Sequence, residues 1–306
     1  MPFIHKQPLN KIISKLISPF KKLVPEKYYF AIDGTHKIRL TEGKSMLFHA
    51  NPTSNLLRVL FWKGIEGFEF KEYNIFVQLA KKSKVFFDIG ANIGYYSIVA
   101  KKFNPEIIVH GFEPMPSANK YFNINKMLNN FNDIHIHSIA LTDYKGEAVF
   151  HSNLNPRFPQ IKDHLFGDNS LDEKATGNIS RIKINVKTNT LDQFVEENLD
   201  KTLKIDLIKM DTESTEHLVL QGGKAILRNH RPIIMCEVIK GFHEHEIAFV
   251  LKEFDYDFFE VTNKGLVYVN TLYVEKGKND YFFIPKEKVN LLAKTIPMLT
   301  IKVPNL

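Results

Sequence analysis

The sequence predicts an α/β protein whose mostly parallel sheet carries helices on both faces. Three observations lead there. Apolar runs alternate with helical patterns from about residue 85 onward, the signature of strand–helix–strand units. The strands among them read as continuous apolar runs, as expected when both faces are covered. A glycine-rich loop, Asp88-Ile89-Gly90-Ala91-Asn92-Ile93-Gly94, joins the first of these strands to its helix. The chain has 306 residues, 44% hydrophobic and 25% charged, so it can bury a core and is not globally disordered.

Taken in order, Ile12, Ile13, Leu16, Ile17, Phe20 and Leu23 recur at helical spacing, with Pro19 as a break. This segment reads as a helix that docks on the main domain, or as a basic amphipathic element for a membrane surface or a partner protein. Its apolar runs are too short and too interrupted by lysine for a signal peptide or a membrane span. Asp33-Gly34, between Tyr28 to Ile32 and Lys37 to Leu40, signals a hairpin. Residues 52–79 read as helical, broken at Gly64 and Gly67. Strands follow at 85–89, 107–112 and 134–141, with helices at 95–103 and 116–128 between them.

Residues 146–150 suggest a further strand. Residues 151–180 are polar and turn-rich, a substrate-loop insertion in which Phe158 and Phe166 are candidate covers for a small acceptor. The pattern resumes with helices at 192–198, 215–227 and 246–254. Strands are expected at 205–210, 232–236, 257–261, 266–269 and 281–284. The division expected is an N-terminal extension over 1–80, a catalytic domain over 81–286 and a C-terminal tail over 287–306 that packs back.

The formal net charge is +7. Residues 1–27 carry +5 and residues 286–306 carry +3, which leaves −1 on residues 28–285. A nucleic-acid enzyme would more usually carry its basic footprint on the folded body. Cys236 is the one cysteine, so an intramolecular disulfide and a cysteine-rich metal site are excluded.

The glycine loop matches neither G-x-G-x-x-G nor a P-loop, since its glycines are four apart and no Gly-Lys-Ser/Thr follows. An acid at the strand end, Asp88, suits a cationic or hydroxylated cofactor better than a pyrophosphate. Glu113 ends the next strand, where an acid accepts from both hydroxyls of a ribose; the plainer alternative is a cap for the helix after Pro114. Loop and acid together favour S-adenosylmethionine over a nicotinamide cofactor. Asp211, Glu213 and Glu237 stand at or just after later strand ends. There they can bind substrate hydroxyls, hold a metal or act as a base. His217 reads as part of an ordinary helix start, His243 to Glu246 as a solvated one and His110 as structural. His135 and His137 alternate along one strand and face out or line the adenine side.

These motifs resemble the FkbM family of S-adenosylmethionine-dependent methyltransferases. The resemblance rests on Asp88, Gly90, Asn92 and Gly94, on Glu113-Pro114, and on Lys209-Met210-Asp211-Thr212-Glu213-Ser214-Thr215-Glu216. It covers roughly residues 80–286. It implies a class I, Rossmann-like sheet of seven strands with one antiparallel, and O-methylation of a small hydroxylated acceptor such as a sugar, a glycan or a secondary metabolite. It also implies that Asp88, Gly90, Asn92 and Gly94 line the methionine side of the cofactor, that Glu113 binds ribose, that Asp143 lies near the adenine and that Asp211 faces the acceptor. Ser214 stands where the family usually has glycine, which bears on the loop if that backbone is left-handed. No compact metal-ligand motif is present, and metal-free chemistry is favoured. The compartment expected is cytoplasmic, with peripheral membrane or protein contact through residues 1–27. The rival readings are an RNA or cap methyltransferase, opposed by the charge on the body, and an inactive cofactor-binding scaffold, opposed by Asp88 and Glu113.

Overall fold

A computed structural model describes residues 9–165, 167, 169–172, 174, 181–263, 265–275, 277–295 and 301–302. The described chain opens with α1 (Leu9–Ile17), a 3-10 turn, and the hairpin β1 (Gly34–Arg39) and β2 (Ser45–Ala50). The turn expected at Asp33-Gly34 lies instead between Leu40 and Lys44, where Glu42 and Gly43 take left-handed backbone. Gly34, at φ +97°, only opens β1. The outer edge of β2 is met by side chains of a later helix. His49 N–H donates to Asn125 Oδ1 at 2.6 Å, and Asn129 bonds both the N–H and the carbonyl of Leu47.

Helices α2 (Asn55–Lys63) and α3 (Phe70–Ala80) follow, and Gly64, at φ +72°, ends the first. Then come β3 (Val85–Ile89), α4 (Tyr95–Phe103), β4 (Ile108–Phe112), α5 (Pro116–Leu128) and β5 (Ile134–His137). The single strand expected over 134–141 is two. After Ser138 the chain leaves the main sheet as β6 (Ile139–Thr142) and joins β7 (Gly146–Asn153) and β8 (Arg181–Thr190) in a three-stranded sheet, order β6-β8-β7.

Next are α6 (Leu191–Asn198), β9 (Leu207–Met210), α7 (Glu216–Gln221) and α8 (Lys224–Asn229). One helix is expected over 215–227, but it breaks at Gly222-Gly223. A Cβ on Gly222 would lie 2.1 Å from the Thr142 carbonyl oxygen, so the backbone is pressed against β6 there. The Asp192 carboxylate then caps α8 by accepting from Ala225 N–H and Ile226 N–H, both at 2.9 Å. The fold closes with β10 (Ile233–Ile239), α9 (Glu244–Lys252), β11 (Tyr256–Thr262), β12 (Gly265–Val269), β13 (Lys278–Pro285), α10 (Lys286–Thr295) and β14 (Ile301–Lys302).

The main sheet has nine strands, order β14-β12-β11-β13-β10-β9-β3-β4-β5, rather than seven. The run β10-β9-β3-β4-β5 is parallel, and β13 is antiparallel to β10 and β11 on its two sides. β12 and β14 extend the sheet beyond β11, so part of the C-terminal tail does pack back. Along β3 the side chains alternate between two cores. Phe86 joins the one shared with Phe61, Phe76, Ile98 and Val109, while Val85, Phe87 and Ile89 join the other with Phe194, Ile208 and Ile234. The N-terminal segment therefore shares a core with the sheet. Trp62 stacks on Tyr29 at 4.5 Å and donates its Nε1–H to the Phe30 carbonyl at 3.0 Å, which ties that segment down.

Candidate functional site

The parallel strands β3, β4 and β9 end on one side of a cavity of about 410 Å³, within the size range of small-molecule sites. Gly90, Ala91 and Asn92 form one wall and Glu113 the next. Apolar surface comes from Phe112 and from Ile139, Ala140 and Leu141 on β6. Lys209, Asp211 and Glu213 close the far side. The cavity is also walled by Ser54, Asn55, Phe68 and Glu69, so the N-terminal segment completes the site as well as packing on it.

Glycine is required at position 90. Its φ is +74°, and a Cβ there would lie 1.8 Å from the Asp211 carbonyl oxygen. Gly94 has another reason: its Cβ would meet the Phe122 ring at 2.1 Å, and it is not part of the cavity wall. Asn92, at φ +48°, turns its N–H onto Glu113 Oε2 at 2.8 Å. Met115 N–H donates to Oε1 of the same carboxylate at 2.8 Å. Glu113 is thus buried, oriented by two backbone donors and set on the wall. Burial outweighs those donors and pushes its carboxyl up to about 7.

Asp88 does not meet the cavity, which corrects the expectation that its carboxylate contacts the cofactor directly. It is buried below the loop, where its Oδ2 accepts from Ser97 N–H at 3.0 Å and Ser97 Oγ–H at 2.6 Å. It fastens α4 to β3 and so sets the glycine loop. Asp143 is also off the cavity: it is exposed and accepts from the Thr142 hydroxyl, at 3.1 Å. The chain turns after β6, which leaves the apolar residues of that strand, and not the acid, facing the site.

Asp211, Glu213 and Glu237 do come together, each offering a carboxylate oxygen within 4.8 Å of the others. Lys278 supplies positive charge among them, with Nζ 2.8 Å from Glu237 and 3.9 Å from Glu213. Lys209 Nζ lies 3.1 Å from Asp211. Burial by itself pushes the Asp211 carboxyl up, but Lys209 and Lys278 together hold it below its usual value. Its Oδ2 takes the Lys209 bond, while its Oδ1 is buried with no donor among the described residues. Glu237 belongs to the layer beneath the cavity; burial, reinforced by Asp211, raises it to about 8 against the opposing pull of Lys278. Glu213 and Ser214 take φ of +53° and +83°, so the loop holds a left-handed serine where glycine would be free of strain. Buried Glu216 anchors this loop by accepting from Thr212 N–H at 2.7 Å and Thr212 Oγ1–H at 2.9 Å.

His217 stacks on His243 with ring centroids 3.7 Å apart, and neither is part of the cavity wall. Sequence reasoning missed Lys278, Glu69 and the buried Tyr95 and Tyr96. Tyr96 donates its hydroxyl to Glu69 Oε2 at 2.6 Å. A lone lysine ahead of Asn279-Asp280 and a glutamate in a helical stretch offer no local signal. Of the aromatics expected near the acceptor, Phe158 is buried beside an adjoining cavity, and Phe166 lies outside the described residues.

A family model described as the methyltransferase FkbM domain matches residues 88–258, more than half of the chain. The chain belongs to the FkbM methyltransferase family. It is accordingly an S-adenosylmethionine-dependent methyltransferase, and S-adenosylmethionine is its cofactor. Among curated proteins, this FkbM methyltransferase is similar to "Methyltransferase 1" of Beauveria bassiana. The two are 26% identical over 196 residues, 61% of this chain and 74% of that protein. Similar solved structures include a methyltransferase FkbM from Methylobacillus flagellatus, 14% identical with a TM-score of 0.42. That match covers 66% of this chain but only 43% of the other, so the chain spans less than half of that relative's length. A SAM-dependent methyltransferase from Agrobacterium tumefaciens is 10% identical with a TM-score of 0.44, covering 84% of this chain and 72% of the other.

The cavity fits that cofactor. Beside the glycine loop it joins an apolar surface suited to a purine and a buried carboxylate suited to ribose hydroxyls.

Proposed function

We propose that this FkbM methyltransferase O-methylates a small hydroxylated acceptor such as a sugar, a glycan or a secondary metabolite. One observation carries the reading. Asp211 stands part-exposed on the wall of the cofactor cavity, beside two lysines that keep it ionised. An acceptor hydroxyl can donate to that carboxylate. In this reading Gly90, Asn92 and Glu113 hold the cofactor, and Asp88 and Gly94 shape the loop from behind. Bound there, S-adenosylmethionine supplies an electrophilic methyl group. Asp211 orients the acceptor hydroxyl and takes its proton, with Glu213 beside it on the same wall. Lys209 and Lys278 keep Asp211 charged, and buried Tyr95 and Tyr96 limit water at that end.

We read the consecutive strands β5-β4-β3-β9-β10-β13-β11, with β13 reversed, as the class I methyltransferase sheet within the nine. Residues 54–56, 68 and 69 serve as its cofactor-side and acceptor-side wall. The test is methyl transfer from labelled S-adenosylmethionine to a panel of hydroxyl and amine compounds, with product linkage read by NMR. Methylation confined to amines would overturn the O-methyl assignment. Absence of S-adenosylhomocysteine binding by calorimetry would contradict the cofactor site itself.

A second reading concerns location. Leu9, Ile12, Leu16, Phe20 and Leu23 are exposed, while Asn10 and Ser14 form the buried side of α1. Asn10 is held there by a 2.6 Å bond to the Ala31 carbonyl and a 3.0 Å bond from Asp33 N–H. Lys11, Lys15 and Lys22 flank this apolar ridge and are themselves exposed. The combination supports a cytoplasmic enzyme resting on an anionic membrane surface. Among the described residues no helix is long and apolar enough to cross a membrane.

A further inference from the structure

A second cavity, of about 590 Å³, adjoins the first and shares Ser54, Asn55, Leu165 and Gly167 with it. Its chemistry differs. The inner cavity mixes Glu69, Glu113, Asp211 and Glu213 with two lysines. The outer one is lined by Lys27, Arg58 and Arg157 and by no acidic residue among those described. We propose that the outer cavity is the anion-binding end of the acceptor site, taking a phosphate or carboxylate that the methyl acceptor carries. The inference rests on the acceptor reading above and narrows it to anionic compounds.

The cations are positioned for such a ligand and are not consumed by ion pairs among the described residues. Arg58 donates Nε–H and an Nη2–H to Asn55 Oδ1, at 3.3 and 2.9 Å, which fixes its guanidinium on the first turns of α2 without neutralising it. Lys27 Nζ sits 5.0 Å from the centroid of the Tyr28 ring. Arg157 rides on a built turn: its N–H donates to Asn155 Oδ1 at 3.0 Å, Phe158 N–H to the Asn155 carbonyl at 3.0 Å, and Asn155 N–H to His164 Nδ1 at 3.0 Å. Ser54 caps α2 by accepting from Leu57 N–H at 3.2 Å, so the positive end of that helix also faces the shared wall. Arginine forks suit phosphate and carboxylate oxygens, and Tyr29 and Phe158 add ring surface for the rest of the molecule. An acceptor spanning both cavities would place its anion outside and its hydroxyl at Asp211. The positively charged methyl donor is directed to the inner, acid-bearing cavity.

The test uses the full chain loaded with S-adenosylhomocysteine and titrated at low salt with pyrophosphate, and separately with tricarballylate. Binding is followed by calorimetry and by backbone NMR of residues 155–158. The expected result is one saturable site for at least one anion, weakened by salt and by about tenfold or more in the double variant Arg58→Gln/Arg157→Gln. S-Adenosylhomocysteine affinity should not change in that variant, which also controls for folding. Should the double variant unfold, Lys27→Gln and the wild-type shift changes at 155–158 provide the same reading. No saturable anion binding, or equal binding in wild type and variant, would sink the proposal. The two titrations decide between phosphate and carboxylate. Failure of S-adenosylhomocysteine to bind would instead strike the cofactor site, so the two ideas fail separately.

Discussion

Glu113 is the residue whose environment says most. It is held by Asn92 N–H and Met115 N–H yet raised to about 7, so it ionises near neutrality. A carboxyl raised in the folded state binds more protons there than when unfolded, so its contribution to stability falls as pH rises from 4.5 to about 7. Ribose hydroxyls need an acceptor, so S-adenosylhomocysteine affinity should rise across the same window. In Glu113→Gln the profile should flatten and affinity fall by about tenfold or more; calorimetry across that range checks both. Asp211→Asn keeps the shape but removes the charge that accepts the proton. Its kcat should drop by about a hundredfold or more while cofactor affinity stays within a few-fold, as read by single-turnover assays. Ser214→Gly should raise stability by about 1 kcal/mol in thermal melts, since φ of +83° strains serine and the hydroxyl it would lose makes only a long 3.4 Å bond to Asp172 among the described residues. The acids at strand ends were legible because strand ends meet ligands in α/β sheets. The separate roles of Asp88 and Glu113 were not, since both are acids after apolar runs and only the direction of each side chain distinguishes them.

At the scale of elements, the helix α4 and the loop before it depend on two glycines, both at positive φ, whose added Cβ atoms would meet different neighbours. Gly90→Ala should cost several kcal/mol or displace the Asp211 loop, because its Cβ meets backbone at 1.8 Å. Gly94→Ala, also at positive φ, meets the ring of buried Phe122 rather than backbone. A denaturant series on both variants should rank Gly90→Ala as the more damaging. Helices 95–103 and 116–128 and strand 85–89 were readable to the residue, since local periodicity and Pro116 define them. The misread elements have a shared cause. The hairpin turn at 40–44, the split of strand 134–141 and the break at Gly222-Gly223 answer to contacts distant in sequence. The press of Gly222 on Thr142 is the clearest of these.

For the whole molecule, the positive ends invite a test of location. Residues 1–27 carry +5, and α1 with the 3-10 turn after it turns an apolar ridge outward, with Leu16 68% and Leu23 80% exposed. The double substitution Leu16→Ser/Phe20→Ser should abolish co-sedimentation with anionic vesicles and leave the melting temperature within about 2 °C, because both side chains are already in water. Unchanged sedimentation would reject the membrane contact. The same N-terminal segment contributes Ser54, Asn55 and Glu69 to the site, a role its sequence does not advertise.

By itself the sequence determined the α/β class, the glycine loop after the first parallel strand, the acid that ends the next one and the family. Each of these rests on short-range pattern: apolar period, glycine spacing and acids at strand ends. Only the tertiary structure decided the nine-stranded sheet, the lysines that set the charge of Asp211, the displacement of Asp88 and Asp143 from the wall, and the basic outer cavity. Those depend on which distant segments share a surface, and burial and charge proximity act through space rather than along the chain.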